Sequence, residues 1–221
     1  MHNIVNNLLS IQNELKIKIK KLNFENYNPN IVAVSKTFTI KDILPLINHG
    51  HLHFGENKVQ ESIEKWTNIK SDFKDIKLHM IGKLQTNKVK YVVPLFDYIH
   101  SVDSLKLAEK ISQQQVKNNK IMKLFIQINI GNENQKSGIL IDQLDNFYNK
   151  CTNDLGLNII GLMCLPPNDN KSQIHFSKMQ QLVRKLQLKD ISMGMSNDYL
   201  EAINYQSTYL RIGTKIFGKR S

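Results

Sequence analysis

Short β-branched or aromatic runs alternate with longer amphipathic ones along the chain, and that alternation restricts the possible folds more than any other feature of it. The runs "IVAVS", "HLHFGE", "KLHMIG", "YIHSVD", "MKLFIQINI", "LNIIGLMCL", "ISMGM" and "YLRIGTKIFG" read as eight strands. Helical segments such as "KDILPLINHG", "KVQESIEKW", "SLKLAEKISQQQVKNN" and "SQIHFSKMQQLVRKLQ" lie between them. Gly50 stands where the first of these would need a C-cap. Eight strand-then-helix units in 221 residues suit an α/β fold, a single (β/α)8 TIM barrel near its lower size limit. The competing doubly wound open sheet usually carries only about five or six such units. No self-similar repeat suggests a solenoid.

The barrel is expected to carry one extra helix. In "MHNIVNNLLSIQNELKIKIKK" the residues Ile4, Leu8, Ile11, Leu15 and Leu22 form one apolar stripe with polar residues between them, so the segment reads as an amphipathic helix and not as a secretory leader. No apolar run is long enough to span a bilayer. Cys151 and Cys164 show no metal-ligand spacing and suit buried free thiols in a reducing compartment. These features predict one cytoplasmic domain over residues 1–221.

A net charge of +11 raises the question of nucleic acid. The positive charge is nearly all lysine, scattered among Asn and Ile, and the arginines are only Arg184, Arg211 and Arg220. Bidentate base and phosphate recognition is the work of arginine. With no zinc knuckle, basic zipper or RRM-type motif, solvated lysine faces are the expectation and a nucleic-acid site is not.

In a barrel the strand C-terminal ends meet at one rim, and the active site lies there. Those ends are Ser35 and Lys36; Gly55, Glu56 and Asn57; Met80 with Gly82; His100 and Ser101; Asn129; Met163; the "SMGMS" run holding Ser192, Gly194 and Ser196; and Arg211, Gly213 and Thr214. Loops after the seventh and eighth strands commonly bind phosphate through backbone N–H groups. There Gly194 offers close backbone approach, Ser196 a hydroxyl and N-cap for the next helix, and Gly213 and Thr214 the neighbouring loop. Barrel closure sets Lys36 beside them. A lysine next to a phosphate cradle serves as a point charge or as a Schiff-base amine. The amine role requires a lowered pKa, which an apolar strand end with Arg211 nearby favours. Pyridoxal phosphate presents an aldehyde and a phosphate to such a site at once, with Arg211 as ring-nitrogen partner.

The ordered set "VAVSKT", "FGENKVQE", "HMIGKLQTNK", "IHSVD", "QINIGNENQKSG", "GLMCLPP", "SMGMSNDYLEAI" and "LRIGTKIFG" resembles the pyridoxal phosphate homeostasis protein family. Its members are similar to the barrel domain of alanine racemase standing alone. The resemblance implies that Lys36 holds pyridoxal 5'-phosphate as a Schiff base, that Arg211 faces the pyridine nitrogen and that Asn57 lies near the cofactor. It implies phosphate contacts from the last two loops, with Ser192, Ser196, Gly213 and Thr214 as the candidates. Phe38 departs from the pattern, standing where many members have a second lysine, whereas Lys136 in "QKSG" matches and is a candidate secondary acceptor.

Racemisation needs an acid/base group on each face of the reacting carbon. Lys36 supplies one. In alanine racemase a second domain supplies a tyrosine, and this chain ends soon after the eighth strand, while Tyr91, Tyr199, Tyr205 and Tyr209 read as packing residues. An arginine on the ring nitrogen also disfavours its protonation and weakens the electron sink. Together with these points, the resemblance implies a carrier or buffer of pyridoxal phosphate for apoenzymes, expected to be a monomer, with a racemase-like enzyme as the alternative. His53, His79 and His100 are expected to be satisfied inside the barrel, and Glu56 to be a rim carboxylate paired with a lysine.

Overall fold

The structure, a computed structural model, describes residues 4–133 and 135–218. Its strands are β1 (Asn30–Val34), β2 (His53–Glu56), β3 (Lys77–Met80), β4 (Tyr98–Val102), β5 (Lys123–Ile128), β6 (Ile159–Cys164), β7 (Asp190–Met195) and β8 (Tyr209–Ile212). Each pairs in parallel with the next, and β8 pairs with β1 to close the barrel. A helix follows every strand: α2 (Ile40–Asn48), α3 (Val59–Asp72), α4 (Val89–Leu95), α5 (Leu105–Asn118), α6 (Leu144–Asn149), α7 (Ser172–Lys185), α8 (Tyr199–Ile203) and α9 (Thr214–Phe217). Gly50, at φ +88°, accepts the left-handed turn that ends α2, as its position in the sequence predicts.

The eighth strand is shorter than "YLRIGTKIFG" suggests. It stops at Ile212, and "TKIF" coils into α9, because Ile216 and Phe217 N–H both turn back to the Gly213 carbonyl. The extra helix, α1 (Ile4–Lys21), buries Leu8, Ile11 and Leu15 against α2, α8 and α9. Asn7 Nδ2 donates to Ile216 O at 2.8 Å, so the apolar stripe and a polar anchor both fix α1 beside the β8–β1 seam. Burying each such aliphatic side chain stabilises by roughly 1.5–3 kcal/mol. No helix among the described residues is long and apolar enough to cross a membrane.

Most apolar side chains lie in the outer layer between strands and helices, as with Phe54 against the Trp66 ring at 5.0 Å. Inside the barrel a small group, Val32, Tyr98, Phe125, Met163 and Tyr209, shares the space with His79, His100, Ser192 and Arg211, all buried. Branched aliphatics usually fill such an interior. This one is aromatic and polar, so each of its polar atoms needs a partner.

Candidate functional site

A cavity of about 930 Å³ opens at the C-terminal ends of the strands. Lys36, Asn57, Ser196, Arg211, Gly213 and Thr214, read from the sequence as binding residues, all line it. Among the described residues four cationic side chains (Lys36, Lys83, Lys136 and Arg211) face it against a single carboxylate, Asp198, so the mouth favours an anion.

Lys36 is half-buried, and the residues on both sides of it are clamped. Lys65, on α3, donates to the Ser35 carbonyl, to Glu56 Oε1 and to Glu61 Oε1, each at 3.0 Å. Those three bonds use all three ammonium protons. Glu56 Oε1 also accepts from Ser35 Oγ (2.7 Å) and Trp66 Nε1 (2.9 Å), and Glu61 Oε1 accepts from the Thr37 N–H at 2.7 Å. Burial pushes the Glu61 carboxyl up, but the Thr37 N–H and Lys65 outweigh it and hold the group below its ordinary value. Thr37 sits at φ +69°, an outlier for a β-branched residue that costs about 1–2 kcal/mol. The clamp sustains that turn, and the turn aims the chain after Lys36 back toward α2. Glu56 is thus paired with a lysine as expected, but it is fully buried and points outward to α3, not onto the rim.

Arg211 is 4% exposed, and no carboxylate bonds to it among the described residues. Nη1 donates to Ser192 Oγ at 2.6 Å and Nη2 to the Cys164 carbonyl at 2.8 Å, which leaves further N–H groups of its five. Ser192 therefore differs from the other candidates. It lies within the barrel, fully buried and outside the cavity lining, with its hydroxyl taken up by Arg211 and by His100 Nδ1 at 2.8 Å. His100 Nε2 meets His79 Nδ1, and His79 Nε2 meets His53 Nδ1, each at 2.9 Å. The histidines are satisfied inside the barrel as the alternation of the strands implies. Burial pushes His53 down to about 4 and holds His79 and His100 well below the usual imidazole range, so all three are neutral at pH 7.

The last two loops meet, with a different division of labour from the one read in the sequence. Ser196 does not cap the following helix. Asp198 stands at the α8 N-cap, taking the Met195 N–H on Oδ1 at 2.6 Å, while Ser196 Oγ accepts from the Gly213 and Lys215 N–H groups, both at 3.3 Å. The start of α9 thus directs backbone N–H groups to one point of the rim. Gly194 does not line the cavity; at φ +87° it lets α8 close on β7, since a Cβ there would stand 2.7 Å from Ala202 Cβ. The apolar wall is Val34, Ile81 and Phe38, whose ring stacks on Phe217 at 4.7 Å.

Two further lining residues matter: Lys83, to which the sequence assigns no role, and Gly82, placed on the rim by the sequence but without a stated function. Lys83 carries no pattern that separates it from other surface lysines. Gly82 matters by absence, because a Cβ there would lie 2.4 Å from the Asn57 carbonyl oxygen. Gly82→Ala is expected to displace Asn57 and to cost about 1–3 kcal/mol of unfolding free energy. A denaturant midpoint equal to that of the parent chain would refute the close-approach role.

A model of the alanine racemase N-terminal domain family matches residues 11–221. The pyridoxal phosphate homeostasis protein of Haemophilus influenzae is 37% identical, with 99% of this chain and 97% of that one covered. The structure of PipY from Synechococcus elongatus PCC7942 without PLP superposes with a TM-score of 0.87 at 31% identity, covering 98% of this chain and 100% of that one. The same protein with PLP bound gives 0.80 at 30% identity, over 92% and 100%. Alanine racemase of Clostridium difficile 630 shares the fold, with a TM-score of 0.70 at 13% identity over 94% of this chain and 57% of that one.

Proposed function

This chain belongs to the pyridoxal phosphate homeostasis protein family, and we propose that it holds pyridoxal 5'-phosphate as a Schiff base on Lys36 and carries or buffers it for apoenzymes. The observation that carries this reading is the meeting of Lys36, Arg211 and the Ser196–Gly213–Thr214 rim in one cation-lined cavity.

The residues present fit the cofactor. Asn57 Oδ1 is buried without a hydrogen-bond partner among the described residues, Arg211 retains N–H groups beyond the two in use, and backbone N–H groups of the α9 start converge at Ser196. When bound, pyridoxal phosphate supplies an aldehyde for condensation with an amine and a ring that withdraws electrons. Lys36 supplies the amine. Ser196, Gly213 and Thr214 grip the phosphate, and Asn57 takes a polar edge of the ring. Arg211 donates to the pyridine nitrogen and, being permanently protonated, keeps that nitrogen an acceptor. Ser192 acts behind Arg211. Lys83 and Lys136 draw the anion in, and Lys136, tied to Glu133 at 2.6 Å, stands ready as a secondary acceptor.

Holding without turnover follows from what faces the cavity. Among the described residues no tyrosine or histidine lines it, and Tyr209 is packed inside the barrel instead. The tyrosine that serves the second face in alanine racemase thus has no counterpart among the described lining residues. The protein works in the cytoplasm as a monomer on this reading. The test is a visible spectrum of the purified chain loaded with pyridoxal phosphate, before and after borohydride, with mass mapping of the reduced adduct. The adduct is expected on Lys36, and a pure L-amino acid should keep its optical rotation through long incubation. An adduct elsewhere overturns the site, and decaying rotation overturns the carrier.

A further inference from the structure

We propose that the chain Arg211–Ser192–His100–His79–His53 runs in one direction only, every imidazole carrying its proton on Nε2, and that Ser192 and His100 are positioning residues holding Arg211 for its ligand. The role toward a ligand rests on the pyridoxal phosphate reading; the direction of the chain does not.

The direction follows from Arg211, which has donors and no acceptor. Its Nη1 gives a proton to Ser192 Oγ at 2.6 Å, so the serine proton must leave elsewhere. The one other partner of that oxygen among the described residues is His100 Nδ1 at 2.8 Å. A buried hydroxyl is costly to leave undonated. His100 Nδ1 is therefore the acceptor, its proton is on Nε2, and that proton goes to His79 Nδ1 at 2.9 Å. The same step repeats from His79 Nε2 to His53 Nδ1 at 2.9 Å, leaving a His53 Nε2–H at the far end. The opposite order would set two N–H groups on the serine oxygen and leave its own proton without a partner.

One consequence is electrostatic. Each group in the chain turns its lone-pair end toward Arg211 and its N–H or O–H end away, so aligned neutral dipoles solvate a buried cation that lacks a carboxylate. A carboxylate partner would cancel the arginine's field at the mouth; dipoles leave it intact. The second consequence is a seal. Both nitrogens of His79 and His100 are in use, and an added proton would set N–H against N–H. The surroundings oppose that proton too: His53 faces Lys77 and Lys123 as well as Asp97, His79 faces His51 and Lys70 and stacks on Tyr98 at 4.1 Å, and His100 faces Arg211 and stacks on Phe125 at 4.3 Å.

Nitrogen-15 spectra of the full chain without ligand, labelled at histidine, test the direction. Nε2–H tautomers at His53, His79 and His100 are expected; an Nδ1–H at His100 overturns the proposal. With pyridoxal phosphate bound, Ser192→Ala is expected to speed its release about tenfold, the weight of one bond to a charged group. It should also shift the pH midpoint of the bound absorbance, and Ser192→Thr should restore both. Release and midpoint unchanged in Ser192→Ala overturn the positioning role. Should Ser192→Ala not fold, His79→Phe, which touches neither Arg211 nor the cavity, is expected to keep His100 in the Nε2–H tautomer that Arg211 and Ser192 impose, and to move the same midpoint because that proton loses its acceptor; an Nδ1–H His100 overturns the direction, and an unmoved midpoint overturns the coupling. A parent chain that takes up no pyridoxal phosphate defeats the ligand reading, and the tautomer spectra still decide the chain.

Discussion

Lys36→Ala is expected to leave the barrel folded and to eliminate borohydride-trapped pyridoxal phosphate. The side chain lines the cavity and is not among the buried core residues, so its loss removes a reactive amine and leaves the packed layers in place. The contacts assigned to Arg211 and the phosphate rim remain. Reversible uptake should persist, weakened at least about 100-fold, which corresponds to roughly 3 kcal/mol. Dialysis followed by absorbance reads the loss, and circular dichroism checks the fold. If the variant retains a stoichiometric reduced adduct on Lys83 or Lys136, the primary amine has been misassigned.

Lys65→Met should have the larger effect on stability, although Lys65 never touches the cavity. Its ammonium is 7% exposed and holds Glu56, which is completely buried, together with Glu61 and the Ser35 carbonyl. Removing one member of a buried pair strands the other, at about 3–5 kcal/mol. The backbone on each side of Lys36 also loses its clamp, so pyridoxal phosphate occupancy should fall in the fraction that stays folded. Adding Glu56→Gln to Lys65→Met is expected to recover part of the stability, because no buried charge is then left unpaired. A single-variant loss below about 1 kcal/mol by urea titration would remove the clamp from the account.

The barrel was legible because its strands are dense in β-branched and aromatic residues and its helices carry a separate periodicity. The strand end at Ile212 was not, since "YLRIGTKIFG" continues the same composition through a turn set by the Gly213 carbonyl. Lys36, Arg211 and the two rim loops could be read from strand order alone. Ser192 could be placed on the seventh strand, but not its facing: a register one residue different would have turned it outward. Ser196 and Asp198 both qualify as caps by residue type, and only the three-dimensional approach of Gly213 and Lys215 decides between them. Lys65 and Glu61 look like an ordinary solvated pair on one helix face, and their burial depends on a strand end far back in the chain. The chain from Arg211 to His53 joins five strands, and no linear pattern encodes it.

The closure of the barrel between β8 and β1 has a mechanical meaning. The amine at residue 36 and the guanidinium at residue 211 lie far apart along the sequence, and the pairing of β8 with β1 brings them to one cavity. A molecule gripped by both would act as a staple across that join, so saturation should slow unzipping from the termini and make protease resistance rise with ligand concentration.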